Sequence, residues 1–233
     1  MKTVFVLGGS SSIGRVICNH FNSQDYKLIS TYFSNEVPDN YHLNNESLHL
    51  DLDSNQSIEN LSKKLASDKI KIDIFISLVG IIPGKNLSEY SFDEIDKVLS
   101  INFTGQIKLI KNILPLLSIG SRLLIFSSIS AQKGSYDPIY AASKGALLSF
   151  IKSLLSSLPP HSTINAIAPG LIEGSSMLSK MSNETQMIHK KQIHSGMLLD
   201  IDDLAKIIFD LSQDHWSHLN GACIDLNGGQ YVR

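Results

Sequence analysis

Short runs of β-branched and aromatic residues alternate with longer helix-period stretches along almost the whole of this 233-residue chain, and that alternation narrows the possible folds more than any other feature. It argues an α/β architecture, a parallel sheet with helices on both faces. Strands are expected near residues 3–7, 27–32, 47–50, 72–78, 121–127, 163–167 and 221–226, and helices near 13–23, 55–67, 91–117, 138–158 and 200–212. Pro159-Pro160 ends the fourth helix, and the chain turns back into the strand at Thr163. A hydrophobic share of 42% and a charged share of 18% suit one such domain with a substantial core, and the length leaves no room for a second. There is no solenoid-length repeat and no low-complexity tract.

Local patterns carry chemistry. Val4-Phe5-Val6-Leu7 runs into Gly8-Gly9-Ser10-Ser11-Ser12-Ile13-Gly14, a strand feeding a glycine-rich turn and then a helix, which is how backbone amides cradle a phosphate. Gly8 permits the tight turn, and Gly14 lets the helix approach the sheet with its N-terminal amides facing a pyrophosphate. Farther along, Tyr140 and Lys144 stand four residues apart at the start of a long apolar segment, so in a helix they share one face. A phenol with a pKa of about 10 is a poor acid or base near neutrality, and a fixed ammonium beside it is the plainest way to stabilise its phenolate. Alone, Tyr-x-x-x-Lys is a common accident of amphipathic helices. Here Ser128, just after the buried run Leu123-Leu124-Ile125-Phe126, lies twelve positions before Tyr140, enough for a strand end to loop over and bring its hydroxyl beside the phenol.

With these patterns together the chain resembles the short-chain dehydrogenase/reductase family from its first strand to Asn227-Gly228-Gly229, and within it the 3-oxoacyl-acyl-carrier-protein reductases. The resemblance implies a single-domain Rossmann-type, doubly wound parallel sheet of about seven strands over residues 1–233. It also implies an oxidoreductase that moves hydride between nicotinamide and a carbonyl or secondary alcohol. In that reading Tyr140 is general acid in reduction and base in oxidation, and Ser128 hydrogen-bonds the substrate oxygen. Lys144 lowers the tyrosine pKa and binds the nicotinamide ribose. Asn102, in Ile101-Asn102-Phe103-Thr104-Gly105, sits mid-helix on an apolar face where an amide is unfavourable. In the family an asparagine at this point interrupts the helix and holds a water linking the lysine to solvent, completing a catalytic tetrad. The bland alternative is an exposed polar residue. A small-molecule or carrier-bound 3-oxoacyl thioester is the commonest match, with sugar and polyketide ketones or alcohols left open. A catalytically silent dinucleotide-binding sensor or scaffold is the competing class, favoured by departures from the family's motifs and opposed by the intact tetrad.

Those departures fall in the cofactor-binding segments. Leu7 and Ser12 stand where the family has threonine and glycine; Ser12 is small enough to keep the turn, and Ser10, Ser11 and Ser12 add hydroxyl donors beside Ile13 and Gly14. Asp51-Leu52, after the third strand, matches the family's adenine-binding aspartate, or Asp51 is a loop aspartate capping the next helix, though Asp53 and Ser54 are better caps. Where the family has Asn-Asn-Ala-Gly this chain has Ser77-Leu78-Val79-Gly80, keeping only the glycine. Pro169-Gly170 matches the segment beside the nicotinamide, Ile172 is a candidate for a backbone contact to its carboxamide, and Gly174 takes the usual threonine's place, with Ser175 or Ser176 as substitutes. An enzyme selecting the unphosphorylated dinucleotide normally carries Asp or Glu at the end of the second strand. This chain reads Ser30-Thr31-Tyr32-Phe33-Ser34-Asn35 with no carboxylate until Glu36. NADP(H) is therefore favoured and NAD(H) stays possible, with Ser34, Asn35 and Arg15 placed to meet a phosphate.

From Leu171 to Leu199 no strand pattern is visible, yet Met177, Met181, Met187 and Met197 fall here, so the segment reads either as a substrate lid or as ordinary helix core. His189-Lys190-Lys191 is a candidate anion contact or a solvated face. A formal net charge of −2 gives no electrostatic argument for nucleic acid or an anionic membrane. Two cysteines, Cys18 and Cys223, offer neither a zinc spacing nor a disulfide framework, no metal site is expected, and a cytoplasmic setting fits. The first apolar run is too short for a signal peptide or a membrane span. The helices near 91–117 and 138–158 carry apolar residues around more of their circumference than one sheet face buries, among them Ile107, Ile110, Leu114, Leu147, Leu148, Phe150, Ile151, Leu154 and Leu155. A homo-oligomer, tetramer or dimer, is expected.

Overall fold

The computed structural model describes residues 1–21, 26–34 and 45–233. Among them the strands are β1 (Lys2–Leu7), β2 (Tyr26–Tyr32), β3 (Asn45–His49), β4 (Ile72–Ser77), β5 (Leu117–Phe126), β6 (Thr163–Pro169), β7 (Ile172–Glu173), β8 (Leu199–Asp200) and β9 (Cys223–Leu226). The helices are α1 (Ser12–His20), α2 (Asn55–Ser67), α3 (Phe92–Leu99), α4 (Gly105–Ile113), α5 (Ser130–Lys133), α6 (Pro138–Leu154), α7 (Ser176–Ser179), α8 (Asn183–Gln192) and α9 (Ile201–Leu211). Seven strands form one sheet in the order β3-β2-β1-β4-β5-β6-β9, and every pairing is parallel.

The near-continuous apolar runs exist because both faces of this sheet are covered. Phe5 and Leu7 of β1, Phe75 of β4, Leu123 and Ile125 of β5 and Ile164 of β6 point to the face packed by α2, α4 and α6. Their neighbours Val4, Val6, Ile74, Ile76, Leu124, Phe126 and Ile167 point to the opposite face, under α1 and α9. The strand order reverses between β1 and β4, which opens a crevice beyond their carboxyl ends, the position at which doubly wound sheets bind ligands.

Three segments differ from the sequence expectation. The helix expected over 91–117 is divided by a π turn, Ser100–Thr104, between α3 and α4, the interruption at Asn102 that the family resemblance implied. Its last turn is also absent, because Pro115 sits in a 3₁₀ turn, Leu114–Leu116, and β5 begins at Leu117 rather than 121. The added residues form an irregularity, with Leu117 opposite Ile72 but Arg122 opposite Ile74. Between Leu171 and Leu199 the chain forms α7 and α8, closed by the two-residue pair β7 and β8, too short to leave a periodic signature. Met177, Met187 and Met197 of this segment are exposed rather than packed in the core. Of the helix residues expected to exceed what one sheet face buries, Ile110, Leu147, Ile151 and Leu154 are buried within the chain itself, leaving Ile107, Leu114, Leu148, Phe150 and Leu155 partly exposed. No helix of the described residues is long and apolar enough to cross a membrane.

Candidate active site

The start of α6 is set by one carboxylate. Asp137 is buried and caps the helix, accepting the Tyr140 N–H at 2.9 Å, with Pro138 at the first position where no donor is needed. The same carboxylate accepts the Tyr90 hydroxyl at 2.8 Å and the Gly84 N–H at 2.9 Å, so it also holds the loop after β4 against the helix. From this start Tyr140, Ser143, Lys144, Leu147 and Ile151 form the buried face of α6.

Lys144 ends between two strands. Its Nζ donates to the Val79 carbonyl at 3.0 Å and to the Phe126 carbonyl at 2.8 Å, just beyond β4 and at the end of β5. Ser127 Oγ donates to the Lys144 carbonyl at 2.9 Å, a second tie between α6 and β5. Gly80 is required by this packing, because a Cβ there would lie 2.7 Å from Lys144 Nζ. Burial pushes the Lys144 ammonium down to about 7. Burial also raises the Tyr140 phenol, the Ser128 hydroxyl pulling it partly back and the Asp137 charge raising it further. The two groups share the helix face, but without ligand the amine is occupied by main-chain carbonyls and the phenol is held in its protonated form.

Asn102 is fully buried, in the π turn. Its Oδ1 accepts the Ile81 N–H at 2.7 Å and its Nδ2 donates to the Ile81 carbonyl at 2.9 Å and to Ser143 Oγ at 3.0 Å. The reading of Asn102 as merely exposed is therefore wrong. Gln106, also fully buried, escaped the sequence reading: its Nε2 donates to the Asn102 carbonyl at 2.6 Å and its Oε1 accepts Ser77 Oγ at 2.6 Å. Ser77 thus has a partner that explains why serine stands in this departed motif. Asp137 had a signal in the sequence, an acid directly before a proline at a helix start, whereas only burial marks Gln106.

The crevice between β1 and β4 is a cleft of about 720 Å³ whose lining includes Gly8, Ser10, Ser11, Ser34, Asp51, Leu52 and Gly80. Gly8 has a φ of +88°, and Thr31 Oγ1 accepts its N–H at 3.0 Å, a contact not anticipated. A Cβ on Gly14 would meet Gly9 Cα at 2.7 Å, so the glycine is needed for α1 to close on the turn. Ser11 is spent on the fold, donating to the Gly8 carbonyl and accepting the Gly14 N–H as the α1 cap. Ser12 Oγ instead accepts the Ser176 N–H at 3.1 Å. Ser12, Ile13, Gly14 and Ile172 do not line the cleft. Ser176 does, whereas Ser175 is buried as the α7 cap. Asp51 lines the cleft and Ser54 caps α2, so the capping alternative for Asp51 falls away. Lys97 is a further lining residue. Arg15 Nε donates to the Ser10 carbonyl, while Asn35 and Glu36 lie outside the described residues. The glycine turn, the polar groups along the lining and the size of this cleft fit a dinucleotide.

A second pocket, of about 730 Å³, lies on the far side of residues 80–82 and is lined by Ser128, Tyr140, Pro169 and Gly170 together with side chains of the 171–192 segment. Among the described residues no group of histidines, cysteines or acids is arranged to hold a metal.

The depressed amine has a consequence for stability. An unfolded Lys144 holds its proton up to its ordinary value of 10.5 and the folded one only to about 7, so between them the unfolded chain binds more protons and stability rises with pH. Cys18, which burial moves from 9.0 up to about 12, works in the opposite direction above pH 9. Denaturant midpoints measured from pH 7 to 9 are expected to rise, and Lys144→Met to flatten the rise; an unchanged slope in the variant would place the lysine charge elsewhere.

The sequence model of the family described as Enoyl-(Acyl carrier protein) reductase matches residues 8–230. The chain is 27% identical over 242 residues to a 3-oxoacyl-[acyl-carrier-protein] reductase of Aquifex aeolicus, covering 99% of this chain and 97% of that protein. It is 28% identical over 241 residues to an acetoacetyl-CoA reductase of Shinella zoogloeoides, covering 99% and 98%. Its fold superimposes with a TM-score of 0.88, at 26% identity over 100% of this chain and 97% of the other, on a Brucella melitensis structure described as a short-chain dehydrogenase/reductase, glucose/ribitol dehydrogenase. A seven-stranded doubly wound sheet, a glycine turn at its switch point and Ser128, Tyr140 and Lys144 gathered beside it accompany those matches: the chain is an oxidoreductase of the short-chain dehydrogenase/reductase family.

Proposed function

We propose that this protein reduces the ketone of a 3-oxoacyl thioester to the secondary alcohol, using a reduced nicotinamide dinucleotide. The observation that carries the reading is the placement of Ser128 and Tyr140 in the wall of one pocket, across residues 80–82 from a dinucleotide-sized cleft. The names of the Aquifex and Shinella relatives both describe 3-oxoacyl thioester reduction, which supports the substrate class. A dinucleotide bound in the cleft supplies the hydride. Gly8, Ser10, Ser34, Asp51, Leu52 and Gly80 would hold it there, in a turn that Ser11 keeps closed. Ser128 donates a hydrogen bond to the ketone oxygen, and Tyr140, kept protonated by burial, gives that oxygen its proton as negative charge develops. Lys144, one turn along the same face, stabilises the phenolate left behind. Asn102, bonded to Ile81 and Ser143, keeps that side of the relay in register.

Tyr140→Phe is expected to lower turnover of an acetoacetyl thioester by about a hundredfold or more while the dinucleotide Kd changes by no more than a few-fold. Activity within a few-fold of the parent would remove Tyr140 from the chemistry and the reading with it.

NADP(H) is favoured over NAD(H) because none of residues 31–34 at the cleft edge is acidic, so nothing there repels a 2′-phosphate, and Lys97 is a basic residue in the lining. With one substrate, kcat/KM is expected to be higher for NADPH than for NADH; the reverse order would point to Glu36 as a ribose ligand.

The partly exposed Ile107, Leu148 and Phe150 on α4 and α6 support a homo-oligomer. Light scattering at micromolar concentration is expected to give two or four times the 25.7 kDa chain mass, and a monodisperse monomer would refute this.

A further inference from the structure

The pocket beside Tyr140 has an electrostatic asymmetry that ketone reduction does not need. Its walls are apolar where Ile82, Ile129, Leu171, Met177 and Met181 line it. Among the described lining residues the single carboxylate is Asp137, and both its oxygens are occupied, by the Tyr140 N–H, the Tyr90 hydroxyl and the Gly84 N–H. Opposed to it are two basic side chains on different elements, Lys133 at the end of α5 and His189 on α8. Of the run His189-Lys190-Lys191 only His189 lines this pocket; Lys190 lines another, beside Glu173 and Asp200.

The orientation of His189 is determined by its neighbours. Gln230 Nε2 lies 3.3 Å from His189 Nδ1 and 3.3 Å from Gln192 Oε1. With the Gln230 amide nitrogen turned toward both groups, Gln192 Oε1 and His189 Nδ1 accept from it and the imidazole Nε2 carries the ring hydrogen. Gln230 Oε1 is buried without a partner. Burial and the nearby Lys133 charge lower the His189 pKa, which favours the neutral ring and leaves Lys133 as the positive charge in the lining.

We infer that Lys133 and His189 form an anion subsite of the substrate pocket, so that the substrate carries a carboxylate or phosphate beyond an apolar segment from its reacting ketone. This deepens the proposed ketone reduction and rests on that reading for the word substrate. The exposed Lys133 ammonium attracts the anion and the half-buried His189 adds a directed N–H donor. The residues come from α5 and α8, so the subsite also ties the 171–199 segment to the body of the domain when it is filled.

The test uses binding rather than turnover. Calorimetry compares two probe pairs on the parent, hexanoate with methyl hexanoate and 4′-phosphopantetheine with pantetheine, so that carboxylate and phosphate are separated. In at least one pair the anionic member is expected to bind about tenfold tighter, Lys133→Gln to abolish that advantage and Lys133→Glu to reverse it; His189→Gln, which keeps a donor, should retain more of it than His189→Leu. Affinities equal within about twofold in both pairs, or no measurable binding of any probe, would overturn the subsite. So would an advantage that survives in both Lys133 variants. These outcomes are independent of the ketone assay, which alone judges the proposed reaction.

Discussion

Burying the amine of Lys144 between the ends of two adjacent strands is the arrangement on which the site depends. A lysine amine removed from water loses hydration that only hydrogen bonds or a counter-charge replace, and here two main-chain carbonyls, of Val79 and Phe126, do so. The consequences extend to its neighbours. Gly80 has to lack a side chain where the amine passes, and Ser127 binds the lysine's own carbonyl. Helix α6 is thereby docked on β4 and β5 at the edge of the crevice, and Tyr140 is carried with it to the mouth of the pocket.

The second constraint is polar and lies under the π turn. A buried Asn102 in a regular helix would leave its amide competing with the backbone; the π turn directs it at both main-chain groups of Ile81, which satisfies most of its bonding capacity. The extra helical residue displaces the Asn102 carbonyl, and Gln106 supplies the donor it needs. Ser77 then satisfies the other end of the Gln106 amide. Each polar group in the chain from Ser77 to Asn102 answers the desolvation of the one before it. Such fully paired networks hold one geometry, because any shift leaves a buried group without a partner.

Much of the architecture and the central residues were legible in the sequence for local reasons. Period-two burial on two covered faces produces apolar runs, and the turn after β1 needs glycine wherever the chain is sharply bent or α1 comes close. Tyr140 and Lys144 were legible because four residues on a helix make one face. The misreadings have local causes too. Ser11 looked like a free hydroxyl donor to a phosphate but caps α1. The extended start of β5 was missed because the apolar residues before Leu117 keep the helix period through Pro115, so the pattern changes later than the backbone does.

By itself, then, the sequence determined what depends on neighbours along the chain: where the strands and helices of the main sheet lie, where the glycine turn falls, and that a phenol, an amine and a serine are available to one another. Tertiary structure decided what depends on burial. It chose Gln106 from many ordinary polar residues, left Asn102 paired with Ile81, and selected His189 rather than Lys190 to face the pocket. The reason is that a polar side chain has the same covalent identity in water and in a core, and only the loss of water there forces it into one defined set of partners.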